Sequence, residues 1–219
     1  MLVAALIQTD YPSLQLQDKV SFALQLMDDY EITQLPVVVK ENFTGIIAKD
    51  DLLDADEDAT LASLQHQFID TSVKKEAFFL TALKAMVENS SSLVAVVNET
   101  KEYQGIITSQ VLLEQLSKYL GNDEPGAVIV LEVERRNYSF GEISRLVETN
   151  DAYITQLNTY TEADTGLVIV SVKINKLEIS DIIATFQRYD YVVRYYFGEE
   201  LYANELKENY NHLMAYLNL

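Results

Sequence analysis

The 219-residue sequence predicts a mixed α/β (α+β) fold in two parts. Three observations predict it. Residues 1–120 carry one pattern of helix, strand, strand and helix twice over. Residues 126–198 read strand, helix, strand, strand, helix, strand. Between them, Gly121-Asn122-Asp123-Glu124-Pro125-Gly126 is a turn-rich stretch where composition changes. Residues 1–125 hold 8 Lys, no Arg and 20 acids, while every Arg and 10 of the 14 Tyr come later.

In the first part, Val20, Ala23, Leu24 and Met27 follow the spacing of an amphipathic helix, and Phe79, Ala82, Leu83 and Met86 repeat it 59 positions later. The β-like run Leu35 to Val39 returns as Leu93 to Val97 at an offset of 58. Gly45-Ile46-Ile47 returns as Gly105-Ile106-Ile107, and Leu52-Leu53 as Leu112-Leu113, both at an offset of 60. The two extra residues lie in the turn between the strands, and eleven positions are identical in register. One copy is too small to bury its own sheet, so the two should pack face to face.

In the second part, Ile129, Leu131 and Val133 share one face of a strand over 127–134. Ser139 with Glu142 forms a capping box that opens a helix with the stripe Phe140, Ile143, Leu146 and Val147. Strands are expected over Tyr153–Thr161 and Leu167–Asn175, joined by a turn at Glu162–Gly166. Asn175 to Glu178 would open a second helix with Ile179, Ile182, Ile183 and Phe186 inward, and Tyr191–Phe197 is the last strand. The order βαββαβ is the ferredoxin-like arrangement. Leu206, Tyr210, Leu213, Met214 and Leu217 then give a C-terminal helix an apolar stripe that needs a cover. The expected division is 1–57, 58–120, 126–198 and 199–219.

Composition excludes several function classes. A net charge of −18 repels phosphate backbones and anionic membrane surfaces, so neither nucleic acid nor membrane is an expected partner. With no Cys there is no thiolate catalysis and no Cys-ligated zinc. His66 and His212 are too few and too far apart for a His-based metal site. No convergent nucleophile and base is visible, so no catalytic residue and no metal ligand is assigned, and the chain is not expected to be an enzyme. The acidic run Asp50 to Asp58 lacks the glycine and closing glutamate of a calcium loop and reads as a solvated connection. The apolar start Met1 to Ile7 has no basic flank, so the cytoplasm is the expected compartment.

Leu35-Pro36-Val37-Val38 followed by Gly45-Ile46-Ile47 and Asp51-Leu52-Leu53 resembles a cystathionine-β-synthase (CBS) motif, and the tandem copies resemble a Bateman module. The last 72 residues or so before the tail resemble an ACT domain, and the domain order resembles acetoin-utilisation B-type proteins. The ACT loop Asp-x-Pro-Gly is replaced by Arg135-Arg136-Asn137-Tyr138-Ser139, and Arg135 and Arg136 are expected to pair with Glu132 and Glu134.

The resemblance implies a non-catalytic regulatory or sensor protein that binds an adenosyl ligand between the motifs. Its ligand positions are Pro36, Gly45, Ala48 and Asp51 in the first copy and Gly105 and Thr108 in the second. An ionised carboxylate accepts from both ribose hydroxyls, and a nearby hydroxyl residue helps hold ribose or phosphate. Asp51 is present but Ala48 replaces the hydroxyl; Thr108 is present but Val111 replaces the carboxylate. Asp51 and Thr108 could equally be helix caps. Without Arg before residue 135, an adenosine monophosphate or S-adenosylmethionine is favoured over a triphosphate without metal. The alternative is a ligand-free structural interaction module with decayed sites. A homodimer through the CBS helices is expected, together with an unidentified regulated protein.

Overall fold

The structure, a computed structural model, describes residues 1–199; the expected C-terminal helix lies outside them. The chain divides into two compact units, Met1–Leu116 and Ser117–Leu219.

In the first unit, each copy builds the expected elements. Helix α1 (Val20–Asp29) buries Val20, Ala23 and Met27, and helix α3 (Phe79–Glu88) buries Phe79, Ala82 and Met86. Both end in a left-handed residue, Glu31 at φ 54° and Ser90 at φ 50°, which turns the chain toward the next strand. Strands β1 (Gln34–Val39) and β2 (Asn42–Ala48) pair antiparallel, as do β4 (Leu93–Val97) and β5 (Tyr103–Thr108). Short helix α2 (Lys49–Leu53) and longer helix α4 (Ser109–Tyr119) follow directly.

The segments before each copy are exchanged. A 3-10 turn, Val3–Leu6, places Val3 in the core of the second copy, with Phe79, Val94, Val96 and Ile107. The equivalent turn, Leu61–Gln67, places Leu61 and Leu64 in the core of the first, with Leu14, Met27, Leu35 and Ile47. Gln8 and Ile106 exchange both backbone hydrogen bonds (2.8 and 3.0 Å), and Ile69 and Ile46 do the same (2.9 and 2.9 Å). Each segment then crosses to its own copy. Leu14 bridges Val37 in parallel, and β3 (Ser72–Lys74) pairs in parallel with β4. The two cores thus draw on residues from both sides of position 57.

A third cluster joins the copies. Ile46, Leu93 and Ile106 are fully or almost fully buried, with Tyr11, Phe43 and Tyr103 packed against them. Ile46 and Ile106 hold the same position in the repeat, which is the face-to-face packing the repeat predicts.

The second unit has the ferredoxin-like sheet. Strands β6 (Ala127–Val133), β7 (Ile154–Thr161), β8 (Val168–Ile174) and β9 (Val192–Phe197) lie in the order β7-β8-β6-β9, every pair antiparallel. Helices α5 (Phe140–Glu148) and α6 (Ser180–Arg188) cover one face, burying Ile143, Leu146, Val147, Ile182 and Phe186 on the inward residues of β6 and β8.

Three expectations here need correction. Phe140 begins the stripe of α5 but is 54% exposed, because as the first helical residue it precedes the covered turn. Helix α6 starts at Ser180 rather than after Asn175. Asn175 Oδ1 accepts from Tyr153 N (2.8 Å) and the Lys176 carbonyl from Ala127 N (2.8 Å), so these residues extend the sheet instead. Arg136 does pair with Glu134 (2.6 Å), but Glu132 is taken by Arg194 (3.1 Å), and Arg135 forms no ion pair among the described residues. The turn-rich stretch is also less free than its composition suggests, since the Lys173 ammonium donates to the Gly121 carbonyl.

Candidate functional site

Each β-hairpin of the first unit ends where a helix begins. Lys49 N donates to the Thr33 carbonyl (2.8 Å) and Ser109 N to the Ser92 carbonyl (2.8 Å), so both helices start beside the entry of the hairpin's first strand. The expected ligand positions sit around these two junctions.

In the first copy, Ala48 is the N-cap of α2 and offers no side-chain bond. Asp51 is the third residue of α2, half-buried in its first turn, and therefore is not the N-cap. Its carboxylate has no hydrogen bond or ion pair among the described residues. The first-turn position favours an anionic side chain through the helix dipole. Pro36 is buried in β1, where its carbonyl accepts from Leu14 N (2.8 Å) and its missing N–H costs nothing.

In the second copy, Thr108 is committed. Its hydroxyl donates to Gln8 Oε1 (3.0 Å) and accepts a long bond from Val111 N (3.5 Å), and its own N–H also reaches Gln8 (3.3 Å). Thr108 is thus the cap, and it ties the exchanged N-terminal segment to the hairpin.

Gly45 and Gly105 have a packing role. A Cβ on Gly105 would stand 2.5 Å from the Gln8 carbonyl oxygen, and one on Gly45 2.7 Å from Phe68 Cβ. Each glycine lets an exchanged segment lie against the hairpin.

Gln34, Ser91 and Ser92 were not singled out from the sequence. Gln34 Oε1 accepts from Ser91 Oγ (2.9 Å), Ser92 N (2.8 Å) and Ser92 Oγ (2.8 Å). Gln34 and Ser92 occupy one repeat position, 58 apart, so the register alone could have paired them. Three polar atoms of this unit are buried without a partner: Gln67 Oε1, Thr71 Oγ1 and Tyr103 Oη. Burial pushes the Tyr103 phenol well above its ordinary range, so it stays a neutral donor. Among the described residues no cluster of three or more His, Asp or Glu could hold a metal ion, and no helix is long and apolar enough to cross a membrane.

The family model described as "CBS domain" matches residues 3–58. Over those residues the chain is similar to that family. The chain is also similar to a CBS domain pair/ACT domain protein from Thermotoga maritima, at 26% identity and a TM-score of 0.50, over 55% of this chain and 99% of that one. A Vibrio cholerae protein assigned to acetoin utilization is similar at 22% identity and TM-score 0.49, over 57% and 98% of the two chains. The CBS domains of a Streptococcus pneumoniae transcriptional regulator follow at 18% and 0.47, over 52% and 98%. The second copy repeats the hairpin, the helix junction and the exchanged segment of the first, and the Thermotoga protein to which the chain is similar carries a CBS domain pair.

Proposed function

We propose that the protein is a non-catalytic regulatory module whose CBS pair binds an adenosyl ligand at the first copy, with Asp51 as the ribose anchor. The observation that carries this reading is the Asp51 carboxylate. It is half-buried in the first turn of α2, directly after β2, and no residue of the described chain uses it. A vicinal diol supplies two donors to one ionised carboxylate. Thr108 supports the asymmetry, because its hydroxyl is already spent on Gln8 and the helix cap. The second junction is therefore the weaker or empty site. With four of the seven Lys of residues 1–116 ion-paired and no Arg there, a monophosphate or S-adenosylmethionine suits the junction better than a metal-free triphosphate.

Calorimetry with AMP, ATP and S-adenosylmethionine tests the reading. Charge-assisted bonds contribute about 1.5–3 kcal/mol each, so losing both with Asp51→Ala should weaken binding by roughly 150-fold or more. Thr108→Val should leave it within about twofold. Absence of heat with all three compounds would instead support a structural interaction module.

A further inference from the structure

A cleft of the first unit with a volume of 380 Å³ is lined by neither Pro36, Ala48 nor Asp51. The crossing segment Asp70–Lys74 and the turn Asn98–Lys101 form its sides, with Phe43 beside them. Four charged side chains line it: Asp70, Lys74, Glu99 and Lys101.

The free cations of this unit gather here. Lys19 and Lys49 are hydrogen-bonded to carboxylates, and Lys75 and Lys84 lie 3.9 and 3.6 Å from one. Lys40, Lys74 and Lys101 form no ion pair among the described residues. Lys74 and Lys101 line the cleft, and Lys40 sits on the turn hydrogen-bonded to its wall, through Phe43 N to the Lys101 carbonyl (3.3 Å) and Tyr103 N to the Glu41 carbonyl (2.7 Å). In a unit with 18 acids to 7 Lys, three unpaired lysines on and beside one cleft are an uneven distribution.

The wall is pre-organised. Asn98 Oδ1 accepts from Thr100 N (3.0 Å), Thr100 Oγ1 (2.8 Å) and Glu102 N (2.9 Å), which fixes the turn. Lys101 is held there at φ 65°, a left-handed conformation that glycine or asparagine adopts at lower cost. Lys40 stands at φ 48° in the facing turn. On the other side, Asp70, Ser72, Val73 and Lys74 line the cleft, and the 3.5 Å bond from Ser72 Oγ to Asp70 Oδ1 joins two of them.

We propose that this cleft binds a small phosphorylated polyol, with Lys74 and Lys101 holding the phosphate and Asp70 and Glu99 accepting from its hydroxyls. Two ammonium groups suit a monophosphate dianion. The carboxylates are acceptor-only and disfavour a bare anion, so the ligand must carry donors as well. Phe43 gives the carbon skeleton an apolar wall.

Glycerol 3-phosphate, inorganic phosphate and glycerol are the probes, titrated into the full chain and followed by amide chemical shifts. Saturable shifts are expected at residues 70–74 and 98–101, tighter for glycerol 3-phosphate than for phosphate, with none for glycerol. Lys74→Gln and Lys101→Asn (the latter tolerating the left-handed backbone) should each weaken both anions by about tenfold. Asp70→Asn should weaken only glycerol 3-phosphate, and Asp51→Ala and Lys84→Gln should change nothing, which separates this site from the adenosyl junction. Circular dichroism establishes that each variant is folded. No saturable shift in the millimolar range, shifts centred elsewhere, or equal affinity in the lysine variants would overturn the proposal.

Discussion

At the scale of single residues, the two half-signatures of the sequence resolve in opposite ways. Thr108 uses both roles of its hydroxyl inside the protein, donor to Gln8 and acceptor from Val111 N. Thr108→Val should therefore destabilise the first unit by about 1–2 kcal/mol, measured by urea unfolding. A wild-type midpoint would mean the hydroxyl is not holding the N-terminal segment. Tyr191 is the second informative residue. Burial, helped by its hydrogen bond to Glu142 (2.9 Å), pushes its phenol up to about 12. A raised pKa favours the protonated form in the fold, so its contribution is intact below about pH 10 and is lost as pH rises toward 12. Thermal unfolding of the wild type should fall steeply across pH 10–12, and Tyr191→Phe should flatten that fall. Arg194 works at the other end of the scale. Its bond to Glu162 holds that carboxyl below the usual carboxylate range, so this pair contributes above the ordinary Glu pKa and is lost as pH drops.

At the scale of elements, the exchanged segments are the feature the sequence hid. Helices and hairpins were legible because apolar spacing reports burial against a nearest neighbour. Residues 1–8 gave only an apolar start with no partner in view, because their partner is Ile106, about a hundred positions away. The family resemblance makes the glycines part of a ligand motif, yet their immediate contacts are the backbone and side chains of these segments. Gly105 has φ 134°, and an added Cβ would meet the Gln8 oxygen at 2.5 Å and Ile7 Cγ2 at 2.6 Å. Gly105→Ala should cost about 1–3 kcal/mol and raise hydrogen exchange at the Gln8 amide. Gly141→Ala, in the first turn of α5 with open space around it, should instead stabilise by up to about 1 kcal/mol. Protection of Gln8 unchanged in Gly105→Ala would show that the segment can give way without cost.

At the scale of the whole molecule, each leucine doublet splits its task. Leu52 and Leu112 are 0% and 2% exposed and belong to the cores, while Leu53 and Leu113 are 62% and 63% exposed. In the second copy Leu113 borders an apolar groove of 360 Å³ between α3 and α4, with Met86, Val87 and Leu116. We expect this helical face to pair with a second copy of the chain. Light scattering should then give twice the 24.9 kDa chain mass, and Leu113→Glu should return the monomer without changing the circular dichroism. A monomeric wild type would reject the pairing. The sequence by itself determined the repeat, the ferredoxin-like order of the second unit and the inward face of nearly every helix and strand, because periodicity and register are local properties of the chain. The tertiary structure alone decided that the N-terminal segment completes the second copy rather than the first. It also left Asp51 free, while Gln8 claimed Thr108. Those outcomes depend on which distant groups the fold brings within hydrogen-bonding distance, and no spacing within one segment encodes that.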